Sequence, residues 1–209
     1  PTLTLDNSRL QLISTEQDYT DSQLLRFSLQ VRRARLQAEM EGADDFSFVP
    51  PTHDGIQDVD ALNRIVQSEK NLFKVRKDSF ESQDQALQAQ RPSYEQEITT
   101  LEQAVKLHND ELALLAEDVK AMQTLADQKL TQLTRLRETQ RSYSVAQRDM
   151  LEQQSYLARA HQNLLDLEQR RVELRNKRND EDAADIREAD LEIARADQKL
   201  GSLLDTLSE

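Results

Sequence analysis

From Val59 to Leu164 every seventh residue falls on one line: Val59, Val66, Phe73, Phe80, Leu87, Tyr94, Leu101, His108, Leu115, Met122, Lys129, Leu136, Tyr143, Met150, Leu157 and Leu164. Only His108 and Lys129 interrupt it. A period of seven keeps one face of a helix turned toward a neighbouring helix through successive supercoiled turns, so the pattern predicts coiled coil rather than a globular core. Before it, Leu10, Ile13, Gln17, Thr20, Leu24, Phe27, Val31, Ala34 and Ala38 alternate spacings of three and four, which predicts a first helix over 8–40.

Between these stretches, 41–58 reads EGADDFSFVPPTHDGIQD and holds Gly42, Gly55 and the Pro50–Pro51 pair, so a loop is expected. Phe46, Phe48 and Val49 are its candidates for tacking onto a helix. A second helix is expected over 59–125, capped near Asp58 or Asp60, with a kink at Pro92. Its second seam line, Ile98, Val105, Leu112 and Val119, becomes Lys70, Lys77, Asp84 and Arg91 lower down. That half needs another helix over a different face, and the first helix is the candidate. A third helix is expected over 133–207, its stripe fading between Asn176 and Asp185 and resuming at Ile186.

The stripe keeps its phase through 126–132, so periodicity allows two architectures. One is a continuous helix that pairs with a second chain; the other is a hairpin that pairs with itself. Asp127, Gln128, Lys129, Thr131, Gln132 and Thr134 make this a polar stretch. Folding about Lys129 sets Met122 against Leu136, Leu115 against Tyr143 and His108 against Met150. The expected fold class is therefore all-α: a long antiparallel coiled-coil helical hairpin with an additional N-terminal helix packing near its base. The whole of 1–209 is read as one elongated helical domain, with a tip turn at 126–132.

Composition narrows the function. Hydrophobic residues make up 37% and aromatics 4%, enough for a thin seam between helices. The net charge of −12 argues against nucleic acid as a partner. The basic run Arg170, Arg171, Arg175, Lys177 and Arg178, followed by Asp180, Glu181 and Asp182, reads as a solvated, salt-bridged helix face. There is no cysteine, hence no disulfide or thiolate metal site. His53, His108 and His161 lack the spacing of a zinc site, and His108 and His161 read as seam histidines. Carboxylates abound, but a rod of helices offers no desolvated pocket to tune them, so no catalytic residue, cofactor or metal is expected.

Four segments in order resemble the HlyD-like periplasmic adaptors, or membrane fusion proteins, of type I secretion systems. LTLDNSRLQ at 3–11 is similar to the strand and turn that lead from a lipoyl-like half-domain into the helices. EMEGADDFSF at 39–48 resembles the break after the family's first helix, and NLFKVRKDSFESQDQAL at 71–87 the start of its long helix. LALLAEDVKAMQTLADQKLTQLTRLRETQR at 112–141 resembles the hairpin tip. The resemblance implies an excised helical piece of a periplasmic protein anchored in the inner membrane. It implies a TolC-type outer-membrane channel, an inner-membrane ABC transporter, a secreted protein substrate and self-association into a ring of adaptors as partners.

Several adaptors carry an Arg, Leu, Ser pattern at the tip. Aligned on LADQKLTQ, its places fall at Ala121, Leu125 and Gln132, of which Leu125 alone matches. Lys129, Leu130 and Arg135 complete the candidate partner-binding set. Two other readings remain at this level: a parallel dimeric tethering coiled coil, and the adaptor of a drug-efflux pump.

Overall fold

The structure, a computed structural model, describes residues 2–49 and 58–208; His53 and the proline pair lie outside them. The described residues form four helices and no strand: α1 (Thr2–Met40), α2 (Val59–Gln88), α3 (Arg91–Asp127) and α4 (Leu133–Ser208). Their contacts gather into two compact units. One comprises 1–83 with 173–209, the other 84–172.

In the first unit α1 packs as a third helix beside α2 and the C-terminal part of α4. It ends because Gly42 adopts φ 67°, and the two amides that follow the last turn bond back into it, Gly42 N–H to Glu39 O at 3.1 Å and Ala43 N–H to Ala38 O at 3.0 Å. That pair of bonds satisfies carbonyls a helix end would otherwise orphan. The reversal sends the loop back over α1 and α2, where Phe46 joins a core of Phe27, Val31, Leu62 and Phe73. Phe48 meets Phe27 edge to face at 5.7 Å, whereas Val49 is 84% exposed and tacks nothing down. At the start of α2, Asp58 accepts the Ala61 N–H at 2.9 Å, a side-chain cap on an orphan donor.

The opposite face of α1 lies along α4. Arg26 pairs with Asp197 and Arg33 with Asp190, one heptad apart on each helix and running in opposite directions. Ser22, Leu29 and Leu36 are buried on α1 at this same seven-residue spacing, as are Asp182, Ala189 and Ala196 on α4. The two stripes of α1 explain how a helix with weak central positions is held: it is wedged between two partners.

The second unit is a helical hairpin. One long second helix over 59–125 was expected with a kink at Pro92; instead the helix breaks at Ala89–Gln90 and restarts as α3 with proline in its first turn. The reason is steric. A proline ring clashes with the carbonyl four residues back, here Gln88, and that is where α2 stops. Past the break, α3 and α4 run antiparallel. Arg91 donates to Glu168 at 3.0 Å, and Arg171 grips Asp84 with two bonds of 2.8 and 3.0 Å. Asp84 and Arg91, charged members of the lower seam line, are thus accommodated by ion pairs, and Lys77 likewise binds Asp44 at 3.1 Å in the first unit. These contacts within one chain overturn the parallel tethering dimer, because a continuous helix through 126–132 could not bring Arg91 to Glu168.

Three further expectations need correction. The segment LTLDNSRLQ is helical from Thr2 onward, not a strand and turn. An isolated strand has nothing to pair with among the described residues, whereas α1 can simply propagate backward from its packed part. The basic run on α4 is not wholly solvated either: the Asp182 side chain is fully buried and Arg178 is mostly so. His161, read as a seam residue, is exposed.

Candidate functional site at the hairpin tip

Two places in the chain concentrate chemistry: a buried charge cluster and the hairpin tip. The cluster joins the three helices of the first unit. Arg35 binds both Glu39 and Glu69, and Arg76 bridges Glu39 at 2.9 Å and Asp182 at 2.7 Å. Arg178 lies 3.9 Å from Asp182 and stacks its guanidinium 4.6 Å over the Phe80 ring. Three arginines therefore balance three carboxylates. Burial pushes the Glu39 and Asp182 carboxyls above their ordinary range, opposed by the neighbouring arginines, Arg35 first for Glu39 and Arg76 first for Asp182. Each carboxylate has a guanidinium beside it, although Asp182 Oδ2, 3.9 Å from Arg178, is buried without a hydrogen-bond partner, and the arrangement ties the three helices of this unit together.

The tip is built by a second helix ending. After Asp127, Lys129 takes φ 60°; its N–H bonds Ala126 O at 3.0 Å, and the Leu130 N–H bonds Leu125 O at 2.8 Å. This pair of bonds closes α3, and Leu130 just beyond it is exposed. The Gln132 carbonyl then accepts the Arg135 N–H at 3.0 Å and starts α4. Lys129 interrupts the apolar stripe because it is the turn residue, and a left-handed backbone is not a packing position.

All six residues singled out by sequence, Ala121, Leu125, Lys129, Leu130, Gln132 and Arg135, are exposed. The turn gathers Leu125, Lys129, Leu130, Gln132 and Arg135 at the end of the hairpin, while Ala121 stands further down α3 on the line of Leu107 and Leu114. Leu133 belongs with them, one of the four leucines, Leu125, Leu130, Leu133 and Leu136, that the sequence places around the tip. It is 63% exposed and Leu130 69%, whereas Leu136 at 6% closes the seam beneath. The signal for Leu133 was its place immediately after the turn and off the seven-residue stripe. What the tip offers is apolar surface, Leu125, Leu130 and Leu133, interspersed with two cations and an amide on a rigid frame. Such a surface suits docking against other helices.

Residues 15–206 match the family model described as AprE, long alpha-helical hairpin. The fold is similar to the crystal structure of the soluble domain of LipC, a membrane fusion protein of a type I secretion system. That likeness has a TM-score of 0.83 at 17% identity and covers 94% of this chain and 92% of the other. No curated protein sequence matches the chain.

Proposed function

The chain belongs to the AprE long α-helical hairpin family, and on that premise we propose that it is the helical part of a periplasmic adaptor for type I protein secretion. It joins an inner-membrane ABC transporter to a TolC-type outer-membrane channel, as part of a protein anchored in the inner membrane. Several copies stand side by side as the wall of a tunnel for the secreted protein. The hairpin contributes reach and rigidity, and ATP hydrolysis takes place in the transporter.

The observation that carries this reading is the tip, where leucines are turned outward at the one place where a coiled coil has no seam left to bury them. Leu125, Leu130 and Leu133 supply apolar contacts, Lys129 and Arg135 supply charge, and Gln132 and Ala121 flank them. Where other adaptors have an arginine and a serine, this chain has Ala121 and Gln132, so Lys129 and Arg135 are the polar anchors.

The test is export by the full-length adaptor carrying Leu130→Asp with Leu133→Asp. Both side chains are exposed, so helicity and melting should stay near wild type while secretion and co-purification of the channel are lost. Secretion at the wild-type level would contradict channel docking through the tip.

A further inference from the structure

Outside the tip, the second unit exposes more apolar surface than a hairpin that pairs only with itself requires. On α3, Leu107 and Leu114 are exposed one heptad apart, followed by Ala121. On α4, Leu151, Leu165 and Val172 are exposed on a line that Ala158 completes. A seven-residue period is the spacing of a seam, yet neither line faces the other helix of its own hairpin. Relative to that inner seam, the α3 line falls on the third position of the heptad and the α4 line on the second. These positions flank the seam on opposite sides, so one line looks out of each broad face of the hairpin.

Charge follows the same division. Residues equidistant from Lys129 stand at about one height, as the Arg91–Glu168 bond requires and as the groove between Glu111, Leu115, Arg141 and Ala146 repeats nearer the tip. By that register Leu107 is level with Leu151. Arg148 is level with the acidic pair Asp110–Glu111, and Arg141 with Glu117–Asp118. Asp110, Glu117, Arg141 and Arg148 are all exposed, and no ion pair among the described residues engages any of them. On the heptad line opposite the inner seam, α3 therefore carries Asp110 and Glu117 at the two heights where α4 carries Arg148 and Arg141, the last also bordering the groove beside Glu111.

We propose that the α3 stripe of Leu107 and Leu114 packs against the α4 stripe of Leu151 on a second copy of this chain, with Arg141 and Arg148 of one copy set against the acidic pairs of the other. The inference rests on the adaptor reading and deepens it by assigning the surface and register through which copies stand side by side. A copy shifted sideways without turning over presents its α3 line to the α4 line of the first, and both apolar lines and both charge pairs then meet at matching heights. The contact is head-to-tail: each copy uses one face for one neighbour and the opposite face for the next, the arrangement from which rings close. A two-fold dimer would instead set acid against acid on α3 or arginine against arginine on α4, which like-charge repulsion disfavours.

The chain has no cysteine, so single substitutions report cleanly. Chains carrying Leu107→Cys and chains carrying Leu151→Cys are mixed and oxidised, each also being oxidised alone. The proposal expects a disulfide-linked dimer in the mixture and none in either chain alone, and expects loss of that dimer when the Leu151→Cys chain also carries Arg141→Glu and Arg148→Glu. Circular dichroism of the charge variant should match wild type, since both arginines are exposed and unpaired. Homodimers of either single chain, absence of any cross-link at millimolar concentration, or a cross-link indifferent to the charge reversal would each overturn it. The tip is untouched throughout, so failure here leaves channel docking standing, and failure of the tip variants with an intact cross-link leaves this contact standing.

Discussion

Gly42 and Lys129 occupy the same place in two helix endings, each the left-handed residue after its helix, at φ 67° and 60°. Each donates to a carbonyl three residues back, and the next residue donates five back. Glycine takes this conformation freely, but a lysine pays a Cβ clash with its own backbone.

Lys129→Gly should therefore raise the stability of the hairpin by about 1 kcal/mol, while Lys129→Val, β-branched at a left-handed position, should lower it by more than that. Urea unfolding followed by circular dichroism measures both. Equal effects of the two substitutions would show that the turn geometry is not what sets the stability of this end.

Phe46 and Val49 separate packing from mere proximity. Phe46→Ala empties a site that four helix residues surround and should cost about 3–5 kcal/mol. Val49→Ala, on a side chain already in solvent, should fall within about 0.5 kcal/mol of wild type. Thermal melts of the two variants against wild type decide this.

Asp182 sits at a seam position that would ordinarily be apolar. Removing its side chain with Asp182→Ala leaves Arg76 with Glu39 alone and takes from Arg178 its nearest carboxylate, and should cost about 3–5 kcal/mol. Asp182→Asn keeps an acceptor for Arg76 and should cost less than half as much.

The same carboxyl gives a pH dependence whose sign is fixed by burial. Its folded pKa is raised, so the folded state holds the proton more tightly than the unfolded chain does. The contribution of Asp182 to stability is complete below the unfolded value of about 4 and is lost as pH rises through the higher folded value. Glu39 follows the same sign. The cost of Asp182→Asn should thus be largest in acid and shrink as pH rises through the carboxylate range, wild type losing ground to the variant. Parallel profiles would refute it.

The hairpin was legible because its cause is local and repeated: a seven-residue stripe, with a polar residue where the chain turns. The third helix was legible by deficit, since Lys70, Lys77, Asp84 and Arg91 leave the lower seam without a second apolar line. What the sequence concealed depends on partners distant along the chain. Asp182 looked solvated beside Asp180 and Glu181, and only the approach of Arg76, 106 residues earlier, makes its burial affordable. Likewise LTLDNSRLQ resembles a strand and turn, and in the structure it is continuous with α1. At the tip, the alignment chose positions by letter, whereas exposure chose Leu133 and sorted Leu130 from Leu136.

The account turns on the tip meeting an outer-membrane channel. A photo-reactive amino acid placed at Leu130 of the full-length adaptor, in cells that also hold its transporter and channel, tests that contact directly. The account predicts a covalent adduct with the channel protein, identified by mass spectrometry, and no such adduct from the same probe at Val49. Adducts at Leu130 with inner-membrane proteins alone, or none with the channel while export proceeds, would contradict it.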